Sequence, residues 1–259
     1  MAFFKKKARF ESESELKLMT SQTPFAIKEA FKMLYTNIRY ISVDSKCKKV
    51  AVTSAVSGEG KTTLCANLAT TFAQNLESGR VLLIDTDLRQ PKVAKLLGMD
   101  ITQSGLTEYL AGIDAEPNIV LHPETKLHVI TSGATALNPT KLISSPRMKA
   151  LFAELEEKYD YIFVDTPPVT IVPDAVLVND YVNGYIIACR SDYSNINLID
   201  RCVDQLKLVG AEILGFVLTS LKMKSYGGKS KYSSYYKYNR YNEKYVEKVD
   251  KIQSEKTDG

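Results

Sequence analysis

Residues 50–63 read VAVTSAVSGEGKTT, and the fold follows from how this stretch changes character along its length. Val50 to Ser54 form a short run dominated by apolar and β-branched residues, suited to a buried strand. Gly58 and Gly60 then let the backbone curl so that successive amides face inward. From Thr62 to Leu76 the apolar residues take up helical spacing. Strand, glycine-rich loop and helix in this order make a cradle for phosphate oxygens, with the positive end of the helix dipole behind it. Lys61 is placed to neutralise β/γ-phosphate charge and the Thr62 hydroxyl to coordinate Mg²⁺. The expected nucleotide-lining residues are Ser57, Gly58, Glu59, Gly60, Lys61, Thr62 and Thr63. Ala55 occupies the position where the strict pattern has its first glycine, so a plain turn is the alternative reading. The strand-loop-helix context favours nucleotide.

Working outward, similar apolar runs recur as VLLID (81–85), LHVIT (127–131), YIFVD (161–165), YIIAC (185–189) and ILGFVLTS (213–220). Most are continuously apolar, the mark of strands covered on both faces. Helical stretches lie between them at 146–159 and 195–209. Ahead of the first strand, Thr23-Pro24 reads as an N-cap with proline at the first helical position. The helix it opens places Ile27, Phe31, Leu34, Ile38 and Ile41 on one stripe. This alternation predicts a single α/β domain over residues 23–221, a doubly wound, mostly parallel sheet with helices on both faces. Residues 1–22 read as a flexible arm and 222–259 as a flexible tail.

In such folds ligands gather at the carboxyl ends of the strands. VLLID ends on Asp85, and Asp87 follows two positions later; a lone D-x-D is commonly just a solvated loop. YIFVDTPP ends another strand on Asp165, whose alternative role is a turn residue before two prolines. A phosphate cradle with carboxylates on neighbouring strands together specify an ATP·Mg²⁺ site.

Composition closes off other classes. No apolar run approaches the roughly 18 residues a membrane span needs. MAFFKKKARF lacks the order of a signal peptide. Cys47, Cys65, Cys189 and Cys202 stand alone, which suits a reducing cytosol. His122 and His128 are the only histidines, too few for a His-based metal site, and read as packed-surface or loop residues. The net charge of +4 is uneven: 222–259 carries ten Lys/Arg against five Asp/Glu, and the rest of the chain is close to neutral. Within that tail, Tyr226, Tyr232, Tyr235, Tyr236, Tyr238, Tyr241 and Tyr245 crowd into twenty residues with no Leu, Ile, Val, Phe or Met. Basic, aromatic tails also suit nucleic acid by stacking, but no folded groove accompanies this one and no nucleic-acid partner is expected.

SGEGKTT, IDTDLRQP and FVDTPP together resemble the bacterial tyrosine kinases of the P-loop class, a MinD/ParA-like fold. The likeness is greatest to the stand-alone CapB/CpsD kinases of capsule and exopolysaccharide synthesis and to the cytoplasmic domain of Wzc. It covers about residues 24–221, and SGATALNP (132–139) is similar to the family's segment after the third strand. The resemblance implies an ATP-dependent protein-tyrosine kinase. Lys61 and Thr62 would hold phosphate and magnesium, and Asp87 and Asp165 would complete the metal shell. Asp85 would accept or orient the tyrosine proton and could also touch the metal, so Lys61 and Asp85 carry the catalytic expectation. The seven tail tyrosines become phosphoacceptors, modified between subunits of a homo-oligomer. A membrane-bound co-polymerase-type activator would hold the enzyme at the inner face of the membrane, and a phosphatase would reverse the reaction. The family's inter-subunit Glu-Arg-Arg helix motif departs here to Glu29, Lys32 and Tyr35. The rival reading is a ParA/MinD-like ATPase switch. It is disfavoured by Val56, where those proteins have a lysine, and by the tyrosine tail.

Overall fold

The computed structural model describes residues 18–41, 45–100 and 104–221. The tyrosine tail and the first seventeen residues lie outside the described residues. In chain order the elements are α1 (Phe25–Tyr40), β1 (Lys48–Ser54), α2 (Lys61–Asn75), β2 (Val81–Asp85), α3 (Val93–Leu96), α4 (Leu106–Leu110), β3 (Val120–Leu121) and β4 (His128–Ile130). They continue through α5 (Pro139–Ile143), α6 (Pro146–Lys158), β5 (Tyr161–Asp165), α7 (Asp174–Leu177), a 3₁₀ turn (Val178–Tyr181), β6 (Gly184–Arg190), α8 (Ile196–Leu208) and β7 (Ile213–Thr219).

The strands form one seven-stranded sheet ordered β3-β4-β2-β5-β1-β6-β7. All neighbours pair in parallel except β3 with β4. Every residue of β2 is buried, as are nearly all of β5 and β6, which is why these strands read as continuous apolar runs instead of alternating ones. Two cores result, one on each face. One packs α1 and α2 onto residues such as Val52, Leu83 and Phe163. The other packs α4 to α8 onto Ile84, Ile162, Val164 and Ile187. Helix α2 lies between the sheet and α1 and is buried nearly all round, its polar Thr62, Asn67, Thr70 and Thr71 included. Its Phe72 ring sits 4.7 Å from that of Tyr35, 4.6 Å from Tyr161 and 5.0 Å from Phe163.

Local sequence signals place most helix starts. Ser145 and Asn195 accept hydrogen bonds from the Met148 and Asn197 amides, satisfying first-turn donors that would otherwise be orphaned. At α1 the expectation is corrected: Pro24, not Thr23, is the capping position. The Thr23 hydroxyl instead accepts the Thr20 amide at 2.9 Å and closes the preceding turn. Of residues 18–22, read as arm, Leu18 packs against the core on the α2 face and the Met19 amide donates to Asn67 Oδ1 at 2.6 Å. The sequence reading also missed β3 and the short helices α3, α4, α5 and α7, too brief to show a period.

On α1, Lys32 pairs with Glu29 of its own helix at 2.8 Å. Tyr35 packs on Phe72 and donates to the Asn75 carbonyl. Both are engaged within the chain. The histidines take structural places: His122 is buried between the Leu97 carbonyl and the Thr125 hydroxyl, and His128 meets the Tyr159 hydroxyl at 2.6 Å.

Candidate active site

The site is assembled by register. Asp85, the last residue of β2, lies directly opposite Asp165, the last of β5, and Asp165 lies opposite Val52 of β1 on its other side. Three adjacent parallel strands therefore release their chains at one level, beside the loop that runs from β1 into α2. The Thr86 amide and hydroxyl both donate to the Asp165 carbonyl, at 2.9 and 2.7 Å, and the Thr166 amide donates to the Val52 carbonyl at 3.1 Å. These bonds continue the sheet into the loops and fix where the carboxylates emerge.

The loop itself has the geometry its glycines suggested. Gly58 and Gly60 take φ of +85° and +88°, values that L side chains rarely adopt. Helix α2 starts from Gly60 with no side-chain cap and no acidic residue in its first turn. Its first amides are therefore free to point at an anion. Glu59 is buried, and its carboxylate accepts the Val56 amide at 2.8 Å and the Ser194 hydroxyl. Its side chain thus braces the loop from inside and leaves only its main chain for a nucleotide.

Lys61 is almost fully buried, with Nζ 3.0 Å from Asp87 Oδ2, 3.3 Å from Thr62 Oγ1 and 3.9 Å from Asp165 Oδ1. Burial alone would drive its pKa down, but Asp165 and Asp87 outweigh that and hold it above the ordinary lysine value. Asp87 is aimed by the Gln90 amide, which donates to Oδ1 at 3.1 Å. Asp85 is buried and accepts the Asp87 amide on Oδ1, with the Lys92 and Val93 amides on Oδ2. Burial, then the charges of Asp165 and Asp87, push its pKa up. Burial likewise raises Asp165, against the pull of Lys61 and the Thr62 hydroxyl.

The residues fit a bound magnesium ion in one respect above all. Both carboxylate oxygens of Asp165 are buried without a hydrogen-bond partner and the ion pair with Lys61 is long, at 3.9 Å, and a buried carboxylate so loosely paired favours a cation at closer range. Thr62, Asp87 and Asp165 would share the ion with phosphate and water oxygens, as this small, strongly hydrated ion prefers. Among the described residues no three His, Cys, Asp or Glu side chains form a ready-made metal cage. Asp85, with both oxygens taken by backbone amides, is the least available of the expected ligands.

A family model described as AAA domain matches residues 47–213. The tyrosine-protein kinase YwqD of Bacillus subtilis (strain 168) is 34% identical over 207 residues, spanning 80% of this chain and 84% of that protein. This chain belongs to the bacterial tyrosine kinases of the P-loop class. The solved kinase domain of the Escherichia coli tyrosine kinase ETK superposes with a TM-score of 0.70 and 30% identity, covering 78% of this chain and 80% of that one. The septum site-determining protein MinD of Pyrococcus horikoshii OT3, complexed with Mg-ADP, superposes less well, with a TM-score of 0.56 and 26% identity over 66% of this chain and 70% of that one. The kinase is thus a P-loop nucleotide-binding protein, and none of its described helices is long and apolar enough to cross a membrane.

Two groups of residues at the kinase site escaped the sequence reading. Arg89 grips the buried Asp174 with two nitrogens, at 2.6 and 3.2 Å, and Thr140 donates to the same carboxylate at 2.8 Å. This pins the loop carrying Asp87 to α5 and α7. Arg190, Tyr193, Ser194 and Thr219 all bond to the phosphate loop. Arg89, Arg190, Tyr193, Ser194 and Thr219 sit at or a few residues past strand ends, the one cue that could have flagged them; Thr140 and Asp174, in α5 and α7, carry no such cue.

Gly60 is the position where the loop tolerates least. A Cβ there would lie 3.2 Å from Thr219 Oγ1 and 3.4 Å from its Cβ, on a backbone that already costs a side chain about 1–2 kcal/mol. Gly60→Ala is expected to weaken nucleotide binding about ten-fold and lower the melting temperature by a few degrees. Titration calorimetry with ADP and a thermal melt check both.

Proposed function

We propose that this kinase transfers the γ-phosphoryl group of ATP to tyrosines of its own tail, between copies of the chain, and so regulates capsular or extracellular polysaccharide synthesis. The observation that supports this reading most directly is the convergence of Lys61, Asp87 and Asp165 under an uncapped helix N-terminus, joined to a chain that ends in seven clustered phenols. Phosphoryl transfer runs through a loose transition state, so positioning and charge neutralisation outweigh a strong base. Lys61 and the amides of 57–63 hold the phosphates, and Thr62, Asp87 and Asp165 would hold Mg²⁺. Bound there, the ion neutralises charge that builds up on the transferring oxygens. A tyrosine hydroxyl, with a pKa near 10, needs only a nearby acceptor. The family resemblance assigns Asp85 the part of accepting or orienting that proton; its oxygens accept the Asp87, Lys92 and Val93 amides.

The tail suits the role of substrate because its net charge of +5 is drawn to an anionic site. Each phosphate adds about −1.5 to −2, so roughly three modified tyrosines reverse the sign of the tail. A separate membrane-bound activator would bring the kinase to the inner face of the membrane, and a phosphatase would reset it.

Mixing Lys61→Met chains that keep the tail with active chains cut at 221 tests the transfer between copies. Phosphotyrosine on the inactive chain is expected. An unlabelled tail in that mixture, with wild type labelled beside it, would rule out transfer between copies. Release of free phosphate with no phosphotyrosine in wild type would replace the kinase reading with an ATPase switch.

A further inference from the structure

The turn between β6 and α8 does more than connect them. Arg190 Nη1 donates to the Gly58 carbonyl at 3.0 Å and the Tyr193 hydroxyl donates to the Ser57 carbonyl at 3.0 Å. Ser194 donates to the Glu59 carboxylate, and Thr219, at the end of β7, donates to the Glu59 carbonyl at 2.7 Å. Three consecutive residues of the phosphate loop are thus held from behind by four side chains of two other strands' ends. The four are also tied to one another. The Arg190 amide donates to the Ser194 hydroxyl at 2.7 Å, the Ser191 amide to the Thr219 carbonyl at 3.0 Å, and the Arg190 guanidinium lies over the Tyr193 ring at 5.3 Å. Asp192, at the apex, holds a φ of +57°, a conformation that surrounding contacts must maintain in a non-glycine residue.

We propose that Arg190, Tyr193, Ser194 and Thr219 are positioning residues, a clamp that holds the phosphate loop in its anion-binding shape before nucleotide arrives. In a curled loop, carbonyls that point outward leave their neighbouring amides pointing inward. Donors fixed on the Ser57 and Gly58 carbonyls therefore select the inward-amide conformation. They also polarise those peptides, which strengthens the amides as donors. Arg190 adds a positive charge behind the cradle. Without the clamp, a loop with two left-handed glycines would have many conformations to give up on binding, and that ordering cost would appear as lost affinity. The clamp makes no hydrogen bond to Lys61 or to the Asp85, Asp87 and Asp165 carboxylates, so it governs how tightly the phosphates are held and leaves the transfer step alone.

The proposal rests on the reading of 57–63 as the nucleotide loop, and the test separates the two. ADP in magnesium buffer is titrated into full-length wild type, Tyr193→Phe, Arg190→Ala, Arg190→Lys and Lys61→Met, and ATP kinetics are run on the clamp variants. Tyr193→Phe and Arg190→Ala are each expected to raise the ADP Kd and the ATP KM about five-fold, the worth of one hydrogen bond. The kcat should stay within about two-fold and the melting temperature of Tyr193→Phe within a few degrees. Arg190→Lys should recover part of the loss by restoring the charge without the fork. Should Arg190→Ala fail to fold, Tyr193→Phe, which removes a single oxygen, carries the test. An unchanged Kd and KM in folded Tyr193→Phe would overturn the clamp. A Lys61→Met protein that binds ADP as wild type does would instead overturn the nucleotide reading beneath it.

Discussion

Lys61→Met is expected to lower incorporation of label from ATP by about a thousand-fold or more, because positioning and charge neutralisation supply most of phosphoryl-transfer catalysis. The same change should be visible without nucleotide. Lys61 is the cation for two buried carboxylates, Asp87 at 3.0 Å and Asp165 at 3.9 Å. Removing one partner from a buried ion pair costs about 3–5 kcal/mol, and methionine supplies volume but no charge. For a domain of this size that is a fall of about ten degrees in melting temperature at neutral pH. The fall should shrink at pH 5, because burial raises the Asp165 pKa and the carboxyl there can take up a proton in place of the lost cation. A variant that is inactive yet as stable as wild type at both pH values would mean that Lys61 does not neutralise these carboxylates.

Asp165→Asn should be nearly as damaging to activity, about a hundred-fold or more in kcat at saturating Mg-ATP, but its effect on stability runs the other way with pH. Asp165 is fully buried and neither of its oxygens accepts a hydrogen bond. Burial therefore raises its folded pKa above the value in the unfolded chain. A carboxyl raised in this way contributes stability that is complete below its ordinary pKa, and that stability is lost as pH climbs through the raised value. Nucleotide-free wild type should thus lose melting temperature between about pH 4 and neutrality, and Asp165→Asn should show a shallower slope. What slope remains belongs in part to Asp85, which is shifted in the same direction. Mg-ADP should flatten the wild-type slope and leave the variant's unchanged. Parallel slopes for the two proteins would show that Asp165 is not carried as a strained carboxylate.

These expectations locate the division between sequence and structure. Gly58, Gly60, Lys61 and Thr62 were legible because one short segment supplies its own strand, turn and helix start, and local backbone preference sets the shape. Asp85 and Asp165 were legible as strand ends because a strand buried on both faces is continuously apolar, so the first charge after it marks where the sheet stops. The helices with a long stripe or a Ser-Pro or Asn start were placed to within a residue or so. α3, α4, α5 and α7 were not, being at most five residues each.

That Asp85 and Asp165 face each other depends on strand order and register, since β5 inserts between β1 and β2. Residues eighty positions apart give no local sign of such a pairing. The same holds for Arg89 with Asp174, and for Arg190, Tyr193 and Thr219 on the loop at 57–59, separations of 85 to 160 residues. Backbone conformation and burial follow from short-range chemistry that the chain writes out locally. The partner of a side chain that leaves its own segment is chosen by packing, and only the assembled sheet fixes it.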